Sequence, residues 1–404
     1  MKSIPSLSLK DTGRIYLDHN ATTPLLREIV EKVPEWLPAW GNPSSIHFSG
    51  RVPKNLLRDA RQNLATMLKC HPLELIFTSG GSESNNLIIK GFAPIAQALG
   101  RNEFITTEVE HPSVKESFRF LENYGAVVHR LKVNRDGSID LNAYKRMLSE
   151  KTALVSIMAA NNETGSLFAI KEMVAMAHAV GAKFHTDAVQ TLGKIAVDLH
   201  DWNVDFASFA AHKIYSLRGA GLVFSRKGEK LVSLVSGGNQ ERGRRAGTEN
   251  ILAITAFGHV AHLYNQDENL QTQAVRIGHL RDQMEDQIAK QVGHVKITGA
   301  GVPRLPNTSS LVIDDVDGES LLMGLDLAGV SASTGAACSS GNPEPSPTLL
   351  AMGLDRREAQ SSLRVSLGWG TDEKEIDNFV LILKSVVERL RKIRAEERKR
   401  LSGD

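Results

Sequence analysis

The sequence predicts an α/β protein, with a large domain built on a mainly parallel sheet followed by a smaller α+β domain. Three observations carry this. Short β-rich runs alternate with amphipathic stretches through the middle of the 404-residue chain. From about Leu252 the texture changes to long charged helical patterns with few strand candidates. Several polar motifs also fall where the candidate strands end, which is where open α/β sheets bind their ligands.

The strand candidates of the first part are ELIFTS (74–79), NEFITT (102–107), VVHRLKV (127–133), ALVSIMA (153–159), AKFHTD (182–187), FASFAA (206–211) and GLVFS (221–225). Helical patterns such as 53–69, 112–124, 140–150 and 170–180 lie among them, and strand–helix alternation of this kind reads as a mainly parallel sheet. The second part offers strands at 294–298, 308–313 and 363–366, and closes with a helical pattern over 372–400 that ends in RKIRAEERKR. That basic run reads as a solvated helix end.

Composition excludes several classes. A hydrophobic fraction of 41% and a charged fraction of 23% suit a globular chain and exclude wholesale disorder. The formal net charge of +2 gives no global field toward nucleic acid or an anionic membrane. The apolar stretches stop well short of the ~18 residues needed to cross a bilayer, and MKSIPSLSLKDTGR lacks a signal-peptide core, so the expected location is the cytoplasm. No His/Cys spacing suggests a metal site. The two cysteines, Cys70 and Cys338, form no disulfide framework. Cys70, at the end of a helical pattern, reads as an inert packed thiol.

Four motifs carry chemistry. TSGGSESNN follows a strand and opens a helix; Gly81 and Ser82 put backbone N–H groups and a hydroxyl at a helix N-terminus, where an anion is favoured, although alone this is also a plain capped turn. HTDAVQ ends a strand on Asp187, either a helix cap or a buried carboxylate wanting a cationic partner such as a protonated ring nitrogen. AAHKIYSLRGAG places His212 and Lys213 at the next strand end, where desolvation can make a lysine an imine-forming amine. SASTGAACSSGNPEPSPT sets Cys338 among Ser, Gly and Pro, an exposed loop rather than core, where a thiol is a liability unless used. His111 in EHPSV can stack on a ring or satisfy a buried contact. Arg364 in LRVSLGWGT sits mid-strand and wants a carboxylate, and Arg242–Arg245 can hold a phosphate or be surface charge. Together these supply a phosphate site, a partner for a ring nitrogen, an imine lysine, a carboxylate clamp and a thiol.

With YLDHNATTP (16–24), GNPSSIH (41–47) and LRVSLGWGT (363–371) in the same order, the chain resembles the cysteine desulfurases of the class V aminotransferase group over nearly its whole length. The resemblance implies the fold of type I pyridoxal-phosphate enzymes. It implies a large domain over 16–262 that binds pyridoxal 5′-phosphate, and a small one from 1–15 and 263–404 that carries the cysteine loop. Lys213 matches the Schiff-base lysine and His212 its phosphate-contacting neighbour. His111 matches the ring-stacking histidine and proton shuttle, and Asp187 the partner of the ring nitrogen. Gln190 and Asn162 match contacts to the ring hydroxyl, with Asn162 preferred over Asn161 and placed with Arg364 at the substrate. Gly81 and Ser82 match phosphate contacts, and Thr248 one that reaches the phosphate of a neighbouring subunit, implying a homodimer. Arg364 matches the arginine of the substrate carboxylate and Cys338 the persulfide-forming cysteine. The implied reaction converts L-cysteine to alanine, with the sulfur passing through Cys338 to an acceptor protein of iron–sulfur assembly or tRNA thiolation. The competing readings are a selenocysteine lyase or another class V enzyme, and a non-catalytic sulfurtransfer scaffold.

Two departures stand out. Ala210 replaces the serine that many relatives carry three residues before the imine lysine, and Ser216-Leu217-Arg218-Gly219 replaces their Gly-Pro-Lys-Gly turn. Loss of the Ala210 hydroxyl predicts weaker cofactor binding.

Overall fold

A computed structural model describes residues 13–335 and 344–402. Among these residues the strands are β1 (Ile15–Tyr16), β2 (Leu75–Thr78), β3 (Glu103–Thr107), β4 (Val127–Leu131), β5 (Thr152–Ser156), β6 (Lys183–Asp187), β7 (Phe206–Ala210), β8 (Gly221–Ser225), β9 (Val295–Ile297), β10 (Thr308–Ile313), β11 (Val330–Ser331) and β12 (Ser362–Ser366). Seven of them form one sheet in the order β2-β8-β7-β6-β5-β3-β4. Only β8 runs against the rest, pairing antiparallel with both β2 and β7; the other pairings are parallel.

Helices Gly81–Ala98, Pro112–Glu122, Leu141–Met147 and Ile170–Ala179 follow β2, β3, β4 and β5 and make the crossovers. Because helices cover both faces, β5, β7 and β8 are buried at every position, which is why TALVS, FASFA and GLVFS read as continuous rather than alternating runs. Each buried phenylalanine of such strands, Phe206, Phe209 and Phe224, contributes roughly 1.5–3 kcal/mol through the area it removes from water. A polar line across three neighbouring strands is satisfied internally. His185 spans from Ser156 Oγ (2.8 Å) to Ser208 Oγ (2.9 Å), and burial drives its pKa down to about 3, so it is neutral.

Helix Phe48–Met67 packs on Ile251–Gln266 so closely that a Cβ on Gly258 would lie 2.2 Å from the Ala60 Cα. The later part of the chain forms the antiparallel sheet β12-β10-β9, packed against helix Glu268–Gln291, on which helix Glu373–Ser402 packs in turn. The chain start belongs with it: β1 pairs with β11, and Asp18 bridges to Ser366. This leaves residues 17–24 as a loop crossing from the small sheet to the carboxyl ends of the large one. Cys70 is packed against the core and burial raises its thiol pKa to about 12, an inert group as expected.

Candidate active site

Five strands of the large sheet deliver a predicted motif at their carboxyl ends. Gly81 and Ser82 follow β2, His111 follows β3, Asn162 follows β5, Asp187 ends β6 with Gln190 just beyond, and His212 and Lys213 follow β7. These nine residues, counting Arg364 from β12, line one cavity of about 400 Å³. Thr248 is exposed and does not line it in this chain. Cys338 lies outside the described residues.

Lys213 sits on the 3-10 turn Ala211–Lys213, and its Nζ donates to the carbonyls of Asn20 (2.5 Å) and Ala21 (2.7 Å). Burial lowers its pKa to about 8, and the Arg364 charge acts in the same direction, so a sizeable fraction of the amine is neutral near pH 8. His212 places Nδ1 3.1 Å from Thr22 Oγ1, while Thr23 Oγ1 donates to the His212 carbonyl at 3.0 Å. Burial takes the His212 pKa to about 4. The YLDHNATTP loop therefore holds the His-Lys pair in place.

Asp187, nearly buried, accepts from Val189 N (3.0 Å) and from Asn85 Nδ2 (2.7 Å). Gln190 is oriented by a residue outside every motif reading: fully buried Lys194 donates to Gln190 Oε1 (2.6 Å) and Asn20 Oδ1 (2.8 Å). Burial pushes the Lys194 pKa well below the lysine range, with Lys213 and Arg364 adding to the effect. With Oε1 so engaged, Gln190 Nε2 reaches the Asn20 carbonyl (3.0 Å) and keeps a second hydrogen to give.

Arg364 has found a protein carboxylate, Asp18 Oδ1, at 2.8 Å, and its Nη1 donates to the Asn162 carbonyl (3.2 Å). Its buried Nε has no acceptor among the described residues. An incoming carboxylate would share the guanidinium with Asp18. Asn161 is structural: its Oδ1 accepts from the backbone of Glu163 and Thr164, both at 2.9 Å, whereas Asn162 faces the cavity. The arginine cluster is used locally. Arg245 pairs with Glu83 (2.9 Å) and Arg244 donates to the Leu73 and Leu75 carbonyls.

The residues present fit pyridoxal phosphate. Helix Gly81–Ala98 begins at the cavity, so its first-turn amides have no intrahelical acceptor and suit a phosphate. A Cβ on Gly81 would lie 2.9 Å from Val189 Cγ2, so only glycine keeps that cradle open. The unpartnered Arg364 Nε would suit an incoming carboxylate, and the carboxylate of Asp187 a protonated ring nitrogen. Ala210 lines the same cavity with its Cβ 3.6 Å from where a Cβ on Gly81 would sit, so a hydroxyl there would stand beside the start of that helix.

Sequence reasoning missed Asn20, Asn85, Ser113, Lys194 and Glu163. Asn85 had a signal, since it is one helical turn beyond Ser82 and so shares its face. Glu163, a buried acid whose pKa is raised by burial, takes hydrogen bonds from Ser346 and, at 2.8 Å, from Thr348 Oγ1. Nothing local in AANNETG signals that contact.

A fold and a cavity of this kind define a class of cofactor-dependent enzymes. The aminotransferase class-V family model matches residues 15–379, and the chain belongs to that family. Within it the similarity is to cysteine desulfurases. The chain is 40% identical to cysteine desulfurase IscS of Dictyoglomus turgidum over 94% of its own length and 96% of that protein's. It is 39% identical to cysteine desulfurase NifS of Azotobacter vinelandii, with 94% of each covered. Among solved structures, a NifS-like protein superposes with a TM-score of 0.86 at 32% identity, covering 93% of this chain and 99% of that one. SspA in complex with cysteine gives 0.77 at 29% identity, covering 87% and 98%. Among the described residues no helix is long and apolar enough to cross a membrane.

Proposed function

We propose that the chain is a pyridoxal-phosphate-dependent cysteine desulfurase, with Lys213, Asp187, His111 and Arg364 as its reaction centre and Cys338 as sulfur acceptor. The observation that carries this is the convergence of those first four side chains, from separate strands, on one cavity that also holds a helix N-terminus. Bound there, pyridoxal phosphate supplies an electron sink for the substrate's α-carbon.

The protein's own groups do the rest. The first turn of helix Gly81–Ala98 and Ser82, with His212 nearby, hold the phosphate. Asp187, fixed by Asn85 and Val189, keeps the ring nitrogen protonated, while Gln190 and Asn162 address the ring hydroxyl. Lys213, poised partly neutral by burial, would hold the cofactor's aldehyde carbon and take the substrate's α-proton. Arg364 binds the L-cysteine carboxylate, as suits a fold whose relative SspA binds cysteine. The Cys338 thiolate then forms a bond to the substrate sulfur as the Cβ–S bond breaks. The electron pair stays with the carbon skeleton, which takes up a proton and leaves as alanine. His111 takes part in the proton traffic at the cavity mouth.

The reading extends to a homodimer in which Thr248 reaches the partner's phosphate. Thr248 is exposed here, as are the apolar Trp40, Ile46 and Phe48. It extends to a large domain over 16–262 with a small one from 1–15 and 263–404, supported by the separate sheets. The chemistry belongs in the cytoplasm, where a single reactive thiol stays reduced. The persulfide goes to a protein of iron–sulfur assembly or tRNA thiolation. Equimolar sulfide and alanine from L-cysteine, with cofactor and a thiol reductant present, test the reading. Loss of both in Cys338→Ala with cofactor colour retained supports it, and no colour in the wild-type protein overturns it.

A further inference from the structure

His111 and His71 each precede a proline and cap the helical segment that follows. In each, the ring Nδ1 accepts from the backbone N–H two residues on, at 3.1 Å. A backbone amide can only donate, so Nδ1 holds a lone pair in both. At His71 the contact ends there. At His111 it continues, because residue 113 is a serine whose Oγ lies 2.8 Å from the same Nδ1.

Asn85 Nδ2 lies 2.9 Å from Ser113 Oγ and 2.7 Å from Asp187 Oδ2. An ionised carboxylate only accepts, so it must face the NH₂ of Asn85 and not its carbonyl. The amide then gives one hydrogen to Asp187 and the other to the Ser113 hydroxyl. That hydroxyl, accepting from Asn85, turns its own hydrogen to His111 Nδ1. The direction of every bond from Asp187 to His111 is thereby fixed. The orientation is kept although it leaves Asn85 Oδ1 buried without a partner among the described residues, a cost that a mere packing role does not explain.

We propose that Ser113 is a positioning residue that, through Asn85, ties the protonation of His111 Nδ1 to the carboxylate of Asp187. The neutral ring carries its proton on Nε2, with Nδ1 closed by two donors. Protonating Nδ1 requires the hydroxyl to turn away, so the imidazolium is opposed. The charges around the ring are Asp187 across the cavity, which favours the imidazolium, and Lys213 and Lys115, which disfavour it along with burial. His111 thus offers an Nε2–H donor to the reacting groups until the relay lets go.

This rests on the reading of His111 as a proton-transfer group, and the test separates the two. Histidine ring ¹⁵N resonances are followed against pH in the holoenzyme, assigned with His111→Gln and with His71 as the reference for a cap without the hydroxyl. Parallel samples carry Ser113→Ala and Ser113→Thr. The expected result is an Nε2–H tautomer for His111. In Ser113→Ala its titration midpoint rises by about 0.4 to 1 pH unit, the worth of one ordinary hydrogen bond to the neutral ring. Ser113→Thr restores the wild-type midpoint, and the acid limb of kcat/KM moves with it. An Nδ1–H tautomer, or an unmoved midpoint in Ser113→Ala, overturns the proposal. A shifted midpoint with an unmoved acid limb supports the Ser113 relay and removes His111 from the proton transfer.

Discussion

Restoring a hydroxyl at Ala210 should tighten pyridoxal-phosphate binding. Ala210 ends β7, is 2% exposed and lines the cavity beside Gly81 and Ser82. Its Cβ lies 3.6 Å from where a Cβ on Gly81 would sit, so a serine Oγ at this position stands beside the start of helix Gly81–Ala98. A hydrogen bond to a charged group is worth about 1.5–3 kcal/mol. Fixing the new hydroxyl and drying it on binding takes back about 1 kcal/mol, leaving a net gain of about 0.5–2 kcal/mol. That is roughly a two- to thirtyfold lower Kd. The assay is a titration of apoprotein with pyridoxal phosphate and, separately, with pyridoxal lacking the phosphate. Ala210→Ser should bind the first more tightly and the second unchanged. An equal gain for both ligands, or none for either in a normally folded variant, would refute the placement of the phosphate at this end of the cavity.

Two further outcomes follow from buried amines. The folded Lys213 pKa of about 8 lies below the lysine range, so the neutral amine appears at lower pH than in an ordinary lysine. Cofactor capture by apoprotein should rise with pH and level off above about pH 8, where an ordinary lysine, with a pKa near ~10.4, would still be climbing. The linkage sign is set by the same depression: between those two values the unfolded chain binds the extra proton, so apoprotein stability rises with pH there, and less so in Lys213→Ala. Chemical denaturation at pH 8 and pH 10 checks this. Lys194→Met removes a buried amine with no carboxylate beside it but strips Gln190 Oε1 of its donor. Relief of the buried amine offsets about 1–3 kcal/mol for the orphaned amide, so stability should change by less than about 2 kcal/mol. Cofactor affinity should still fall several-fold as Gln190 loses its orientation. Unchanged affinity in a folded variant would show that Lys194 does not set Gln190.

How much of this the sequence discloses depends on the range of the interaction involved. The strands from 74–79 to 221–225 were legible because their apolar runs are bounded by polar strand ends. The structure keeps 221–225 whole and trims the others by one or two residues, except 153–159, whose ladder starts a residue earlier at Thr152 and stops at Ser156. Parallel strands under crossover helices share one carboxyl end, so TSGGSESNN, HTDAVQ and AAHKIY had to meet. Arg364 was legible as a residue seeking a carboxylate, but its partner Asp18 was not, because the pair lies 346 residues apart in sequence. Lys194 and Glu163 were invisible for the same reason. Each looks like a surface charge in its own motif, and only the fold encloses it.

The same distinction separates two kinds of information in the site. Which side chains take part was readable from local motifs, since each is placed by the strand that precedes it. How each is oriented is decided by donors and acceptors arriving from elsewhere. The Asn20 carbonyl, from a loop that crosses between the two sheets, takes both Lys213 Nζ and Gln190 Nε2. The Asn20 side chain meanwhile joins Lys194 to Asn307 and Thr308 of the small sheet's side. Asn20 therefore links the small sheet's side to Lys213: its side chain bonds Lys194, Asn307 and Thr308 while its carbonyl accepts from Lys213 Nζ. The motif that identifies the family at the chain start thus serves the chemistry by orienting the lysine rather than by reacting.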